Sequence, residues 1–169
     1  MIIRDFSSKL RSLDELAVLR TEWKQAGLRV VWTNGCFDLL HVGHIRSFQE
    51  ARSLGDILVV GLNSDSSVRA IKGPLRPVVC GEDRAEMVAA LEVVDYVTIF
   101  DEPDPVRAIS VLRPDVHCKG ADYADGRRPV PERDIILAYG GEIRYLPLHE
   151  GRSTSGLIGR IAAAWPGEK

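Results

Sequence analysis

The sequence predicts an α/β protein with a Rossmann-like, doubly wound sheet of five parallel strands and helices on both faces. Short apolar runs rich in β-branched residues alternate along the chain with segments of helical periodicity. Parallel strands need long crossover connections, usually helices, so this alternation favours a parallel sheet. Right-handed crossovers then place the helices on both faces of that sheet.

The order of elements follows from this alternation. The first helix is predicted over residues 12–26, because Ser12 and Glu15 form a capping-box pattern and Gly27 supplies a stop. The strands are predicted over residues 28–33, 57–62, 96–100, 115–118 and 142–147. The other helices are predicted over residues 40–53, 64–71, 82–92, 104–112, 130–139 and 154–164. We expect one domain over residues 1–169, with a helical extension over 1–27 and the Rossmann-like core over 28–164.

Charge and composition exclude several classes of partner. The net charge is −2, so no electrostatic footprint for nucleic acid or for an anionic membrane is expected. No apolar run approaches the roughly 20 residues needed to span a bilayer, and the N-terminus lacks the apolar core of a signal peptide. Cys36, Cys80 and Cys118 are widely spaced, which argues against a disulfide framework or a zinc knuckle. We therefore expect a reduced, cytoplasmic protein.

The stretch TNGCFDLLHVGH contains two histidines, His41 and His44, at the predicted end of the first strand. They could be buried histidines bonded to backbone, or metal ligands if His117 and Cys118 completed the set. They could also donate to a phosphate. The third interpretation fits best, because the N-terminus of the following helix already favours anions and imidazole N–H groups can stabilise charge developing on a phosphoryl group.

Polar residues also follow the other predicted strands. Ser64 and Asp65 are suited to cap a helix or to form a polar rim for a nucleotide. Arg84 could form a surface pair with the neighbouring acidic residues, or contact a phosphate through its guanidinium. The hydroxyl cluster at 153–155 opens the last helix and is anion-friendly. Ligands of doubly wound sheets bind beyond the carboxyl ends of the strands, so these loops are expected to share one crevice.

These residues carry a family resemblance. GCFDLLHVGH resembles the signature of the HxGH nucleotidyltransferase superfamily at residues 41–44, and residues 152–155 resemble its second element at the start of a late helix. The ordered series TNGCFDLLHVGH, LGDILVVGLNSD, KGPLRP, EDRAEMVAALEVVDYV, KGADY and EGRSTS is similar to one branch, the D-glycero-D-manno-heptose 1-phosphate adenylyltransferases. In bifunctional versions of that branch this is the C-terminal domain. The resemblance covers roughly residues 10–162.

This resemblance implies AMP transfer from ATP to D-glycero-D-manno-heptose 1-phosphate. The products would be ADP-heptose, a precursor of bacterial lipopolysaccharide core or capsule, and pyrophosphate. The implied catalytic residues are His41, His44, Lys72 and Arg84. The implied nucleotide-binding residues are Thr33, Asn34, Gly35, Cys36, Phe37, Gly43, Asn63, Lys119, Gly120, Asp122, Ser153, Thr154 and Ser155. The implied substrate-binding residues are Asp38, Asn63, Asp65, Lys72 and Arg76, with Asp38 either shaping the turn or contacting the substrate.

Mg²⁺ is expected as a cofactor that arrives with ATP, and no protein metal site is predicted. Gly43 is expected to leave a gap that admits the triphosphate, and Cys36 to be a small packing residue. The Arg- and Pro-rich segment 125–134 lies where the sugar pocket is expected to be completed. The alternatives are a glycerol-3-phosphate cytidylyltransferase-like enzyme that uses CTP, a non-catalytic nucleotide-binding module and a metal-binding protein. Members of the branch commonly self-associate, so a homo-oligomer is expected.

Overall fold

The computed structural model describes residues 6–149 and 151–165 and contains one parallel sheet. The strand order is β3-β2-β1-β4-β5, and every neighbouring pair is parallel. The strands are β1 (Val30–Gly35), β2 (Ile57–Asn63), β3 (Tyr96–Phe100), β4 (Val116–Gly120) and β5 (Glu142–Leu146). The predicted Rossmann-like, five-stranded parallel sheet is therefore confirmed.

Helices cover both faces of this sheet. They are α1 (Leu13–Gln25), α2 (Val42–Arg52), α3 (Asp65–Lys72), α4 (Gly81–Ala89), α5 (Val106–Leu112), α6 (Arg133–Ala138) and α7 (Thr154–Ala164). Short 3₁₀ turns lie at Phe6–Lys9 and Ala121–Tyr123. In the described part of the chain, every helix is too short or too polar to cross a membrane.

Two hydrophobic clusters, one on each face, hold the layers together. On one face Phe48 of α2 and Val88 of α4 pack against the sheet. On the other face Leu16 of α1 and Ile109 of α5 pack around Trp32 of β1. Leu16 is completely buried, so α1 belongs to the core of the fold rather than forming a peripheral extension. Burial of such side chains is the main force that stabilises a layered α/β domain.

The start of α1 follows the predicted capping box. The Ser12 hydroxyl accepts a hydrogen bond from the Glu15 backbone N–H at 3.2 Å, and the Glu15 carboxylate accepts one from the Ser12 N–H at 2.7 Å. Both contacts satisfy N–H groups that a helix N-terminus otherwise leaves free.

Several predicted boundaries were wrong by two or three residues, among them the start of α6 at Arg133 rather than at residue 130 and the end of β4 at Gly120 rather than at residue 118. β1 begins at Val30 and continues to Gly35, beyond the predicted end at residue 33. α2 begins at Val42 rather than at residue 40, because the backbone of His41 is still extended (φ −144°, ψ 166°). Phe37 adopts a positive φ of 44° in the intervening loop, a conformation that interrupts regular structure. α4 ends at Ala89, before the predicted residue 92, because the chain turns there to enter β3.

The order of connection reverses between β1 and β4, which lie side by side at the centre of the sheet. In doubly wound sheets this switch point opens a crevice beyond the carboxyl ends of the two strands. The loops that follow β1 and β4 carry most of the motifs singled out in the sequence, so the fold brings them together.

Candidate active site

A cleft of about 700 Å³ opens beyond the carboxyl ends of the strands, within the size range of small-molecule sites. All but two of the predicted site residues line it. The predicted residues that line the cleft are Thr33, Asn34, Gly35, Cys36, Phe37, Asp38, His41, Gly43, His44, Asn63, Lys72, Arg76, Lys119, Gly120, Asp122, Ser153, Thr154 and Ser155. Asp65 and Arg84 are not part of the lining.

The two histidines stack on each other at the N-terminus of α2. Their ring centroids are 3.8 Å apart and the rings are inclined by 20°, while Phe37 meets the His44 ring edge-on. Among the described residues, neither Nδ1 atom has a hydrogen-bond partner, although both are buried. The His41 side chain does not cap α2, so the first N–H groups of that helix remain available to an anion.

Both imidazoles are held neutral near pH 7. Burial lowers the pKa of His44 to about 4, and the neighbouring His41 ring adds to this effect. Burial also lowers the pKa of His41, with a further contribution from the positive charge of Arg152. Each neutral ring therefore offers one N–H donor and one acceptor nitrogen in the ligand-free cleft.

This shift predicts a pH dependence of stability. Below about pH 6.5 the unfolded chain binds a proton at His44, but the folded chain does not bind it until about pH 4. The free energy of unfolding is therefore expected to fall as the pH is lowered through this window. Urea unfolding between pH 7.5 and 4.5 measures it, and His44→Gln should reduce the slope. Burial also lowers the pKa of His41 and of His117, and both histidines are present in the two proteins. An equal slope in both proteins would therefore contradict the assignment.

Two basic side chains line the same cleft as the histidines. Lys72 at the end of α3 is exposed, and Arg152 precedes the N-cap of α7. No ion pair to a carboxylate is found for either side chain within residues 6–149 and 151–165. Two cations that pair with no described carboxylate, in the same cleft as a helix N-terminus without a side-chain cap, make this cleft suited to a polyanion. Arg152 belongs to the second motif, residues 152–155, but was not predicted as a site residue.

Gly43 has a different role from the expected gap. A Cβ atom at this position would lie 2.9 Å from the His41 ring and 3.2 Å from Cβ of Arg152. The space at Gly43 is therefore occupied by protein atoms, and the glycine allows the His41 ring and Arg152 to come close to the helix. Any larger residue would displace one of these two groups.

Asp38 and Arg76 hold the loop that follows α3 against the loop that follows β1. The completely buried Asp38 carboxylate accepts hydrogen bonds from the N–H groups of Val78 (2.7 Å) and Val79 (2.9 Å) and pairs with the Arg76 guanidinium. Burial raises the pKa of Asp38, but these hydrogen bonds outweigh it and keep the pKa below its usual value. Of the two roles considered for Asp38, shaping the turn accounts for all these contacts.

The prediction that Arg84 contacts phosphate needs correction. Arg84 is completely buried, and its guanidinium donates to Asp65 (2.7 Å) and to the carbonyl oxygens of Cys36, Asn63 (3.0 Å) and Val79 (3.0 Å). It therefore ties together the ends of β1 and β2 and the loop before α4. Asp65 was predicted to bind substrate, but its carboxylate is used in this ion pair. The expected surface pairing of Arg84 with its acidic neighbours does not form.

Three further predicted ligand groups are already engaged within the protein. The Asn63 amide donates to Ser67 Oγ at 2.9 Å and to the Glu102 carbonyl at 3.3 Å, so only its oxygen is left for a ligand. Lys119 forms an ion pair with Glu132 at 2.7 Å. Asp122 pairs with Arg128, which also lies 5.3 Å from the centre of the Tyr123 ring. These residues line the cleft, and their contacts shape it.

The N-terminus of α7 follows the predicted pattern. Ser153 is its N-cap, and the hydroxyl accepts a hydrogen bond from the Gly156 N–H at 3.0 Å. Thr154 and Ser155 line the cleft beside it.

Several lining residues were not predicted. They are Ser47, Ile71, Pro103, Asp104, Pro105, Tyr123, Pro129, Pro131, Glu132, Pro147, Leu148, His149 and Arg152. The signal that could have found most of them is their position just after a predicted strand, where loops of doubly wound sheets face the ligand. Pro129, Pro131 and Glu132 lie too far along a loop for that signal, but they belong to the segment 125–134, which was expected to complete the sugar pocket.

A metal centre is not formed by the described residues. Within 6–149 and 151–165, no three His, Cys, Asp or Glu side chains are grouped closely enough to hold a metal ion. His117 and Cys118, considered as partners of the first histidine pair, point to opposite faces of β4 because they are adjacent in a strand. His117 instead pairs with Glu132 at 2.8 Å.

Comparison with known proteins agrees with this geometry. The model of the cytidylyltransferase-like family matches residues 32–140. The chain is 48% identical over 159 residues to a protein of Geobacter sulfurreducens named Bifunctional protein HldE, covering 94% of this chain and 32% of that protein. A protein of the same name from Syntrophotalea carbinolica is 46% identical over 157 residues, covering 93% of this chain and 32% of that protein. The chain thus spans about a third of the length of the curated relatives it matches.

A solved structure has the same fold. It is described as the lipopolysaccharide core biosynthesis protein from Thermoplasma volcanium, with a TM-score of 0.60 and 29% sequence identity. The match covers 73% of this chain and 98% of that one. The family match covers the switch-point strands and the histidine pair between them. The chain belongs to the cytidylyltransferase-like family of nucleotidyltransferases.

Proposed function

We propose that this chain transfers AMP from ATP to D-glycero-D-manno-heptose 1-phosphate, releasing pyrophosphate and forming ADP-heptose. The observation that carries the proposal is the stacked pair of His41 and His44 at the uncapped N-terminus of α2, with Lys72 and Arg152 beside it. This cluster provides N–H donors, a helix dipole and two cations for a triphosphate.

The reaction requires positioning rather than covalent catalysis. A phosphate oxygen of the sugar 1-phosphate attacks the α-phosphorus of ATP, and the bond from that phosphorus to the bridging oxygen of the leaving pyrophosphate breaks. Negative charge grows on the equatorial and leaving oxygens during the transfer. His41, His44 and Gly43 at the α2 N-terminus line the cleft, where their N–H groups can stabilise these oxygens more in the transition state than in the ground state.

Mg²⁺ would enter with the triphosphate and partly neutralise its charge. The described residues offer no carboxylate cluster to hold the ion by themselves, and Mg²⁺ in such sites is bound largely through substrate phosphates and water. The chain's own contribution is the cationic pair of Lys72 and Arg152, which holds the phosphates in register with the histidines.

The chemical character of the cleft divides it into two halves. Beyond β4 and β5 the lining includes the Tyr123 ring and the apolar side chains of Pro129, Pro131 and Leu148, among charged and hydroxyl residues; these four side chains suit the flat face of a nucleobase. Beyond β2 and β3 the lining includes Asn63, Lys72, Arg76 and Asp104, which suits a phosphorylated polyol. The names of the relatives, which refer to lipopolysaccharide core biosynthesis and to the protein HldE, support a heptose as the sugar.

The experiment that tests the proposal is a panel of nucleotides against sugar 1-phosphates, with pyrophosphate release as the readout. We expect ATP with a D-glycero-D-manno-heptose 1-phosphate, supplied as either anomer, to give the highest kcat/KM. A preference for CTP with glycerol 3-phosphate would instead assign the chain to the second candidate, a cytidylyltransferase, which the description of the matching family includes by name. Nucleotide binding without pyrophosphate release from any pair would identify a non-catalytic module.

A further inference from the structure

A buried ionic cluster lies beneath the nucleobase half of the cleft. Glu132 and His117 are both completely buried, and the Glu132 carboxylate accepts hydrogen bonds from His117 Nε2 at 2.8 Å and pairs with Lys119 Nζ at 2.7 Å. Lys119 in turn lies 4.9 Å from the centre of the Tyr123 ring. Burying charges is costly unless they are paired. A buried cluster of this kind is therefore expected to keep a part of the structure in place.

The cluster joins two separate parts of the chain. His117 and Lys119 belong to β4, whereas Glu132 ends the loop of residues 124–131 and precedes α6. Among residues 124–132, Glu132 alone is buried, and residues 124–129 are all exposed. The loop's other ion pairs are at the surface, where such pairs contribute little. Glu132 therefore provides the buried contact that fixes the loop to the sheet.

The loop forms one wall of the cleft. Pro129 and Pro131 line the cleft together with Tyr123 and with Leu148, which follows β5. Their side chains are rigid and apolar, and they are separated from the buried carboxylate by only one to three residues. A change in the position of Glu132 would move this wall relative to the end of β4.

We propose that Glu132 is a positioning residue for the nucleotide, because its contacts with His117 and Lys119 hold the Pro129–Pro131 wall against the base. The identity of the ligand rests on the proposed function above, but the anchoring of the loop does not. The sequence placed the segment 125–134 at the sugar pocket, whereas this proposal places its Pro129–Pro131 wall at the base. No role of its own was predicted for Glu132, whose partners lie 15 and 13 residues earlier in the chain.

The experiment compares Glu132→Gln with Asp134→Asn in the full chain. Both changes convert a carboxylate to an amide, but Asp134 is exposed at the start of α6. In Glu132→Gln we expect trypsin to cleave after Arg127 severalfold faster, because the loop opens more often. The circular dichroism spectrum of the variant should equal that of the wild type. We expect KM for ATP to rise on the order of tenfold, as misplacement of a binding wall predicts, while KM for the sugar 1-phosphate changes less than about twofold. Asp134→Asn should leave all three values unchanged.

The two readouts separate this proposal from the proposed function. Trypsin cleavage needs no substrate, so it reports on the loop even if the wild-type protein fails to release pyrophosphate. If Glu132→Gln does not fold, Glu132→Asp keeps the charge but is one methylene too short to reach both partners, and it should show the same changes at smaller size. Unchanged loop cleavage, or faster cleavage with an unchanged KM for ATP, would overturn the positioning role.

Discussion

Replacing His44 with alanine is expected to lower turnover by at least about a hundredfold, the size of effect seen when a preorganised donor to a transition-state oxyanion is removed. The His44 ring is stacked on His41 at the α2 N-terminus, and its Nδ1 atom has no hydrogen-bond partner among the described residues. His44 also lines the cleft, where its ring can donate an N–H to a bound triphosphate. Steady-state turnover with saturating substrates measures the loss directly.

Two further variants test whether the loss of turnover comes from the missing imidazole N–H donor or from a change in α2. Arg46→Ala changes an exposed residue of the same helix and should leave turnover unchanged, which controls for effects on α2. His44→Gln keeps a side-chain N–H donor and should retain more activity than His44→Ala. If His44→Ala folds normally and its turnover equals that of the wild type, the histidine pair does not act on the phosphates.

Replacing Arg84 with methionine should give the largest loss of stability. The variant leaves Asp65 and three backbone carbonyls without their donor, and breaking a buried pair by removing one partner typically costs about 3 to 5 kcal/mol. Urea unfolding at pH 7.5 measures the change in the free energy of unfolding. Arg107→Ala removes the exposed pair with Glu102 and should cost less than about 1 kcal/mol.

Arg84→Met also distinguishes a structural role of Arg84 from the catalytic role predicted from the sequence. If Arg84 only ties the loops together, activity should be lost in proportion to folding, and Arg84→Met combined with Asp65→Asn should be less destabilising per group removed because neither partner is left alone. A stable Arg84→Met protein with abolished turnover would restore the catalytic assignment.

The fold was predictable because it depends on local periodicity. The change from helical spacing to β-branched runs, repeated five times, specifies a parallel sheet with covering helices. The capping box of α1 was predictable for the same reason, since Ser12 and Glu15 are three residues apart. The start of α2 was not, because the extended backbone of His41 and the positive φ of Phe37 depend on contacts from other elements.

The site was predictable only where its residues directly follow a strand or open a helix. His41, His44 and Ser153 meet that condition. Arg84 looked like a surface residue because Glu82 and Asp83 precede it, yet its partner is Asp65, 19 residues away. Its burial depends on how α3 and α4 pack against the sheet, which no local pattern contains.

The role of Gly43 changed for a similar reason. From the sequence it appeared to leave space for a ligand, but the structure fills that space with the His41 ring and Arg152. A glycine permits close approach of a ligand or of other protein atoms. Which of the two approaches depends on the tertiary arrangement.

The proposed transfer of AMP to the sugar 1-phosphate is tested most directly by following the α-phosphate of ATP. The protein is incubated with Mg²⁺, ATP labelled at the α-phosphate and D-glycero-D-manno-heptose 1-phosphate, and the products are separated. We predict that the label appears in ADP-heptose, in an amount equal to the pyrophosphate released. Label that remains in ATP, or that appears in free ADP because the γ-phosphate was transferred, would contradict the proposed reaction.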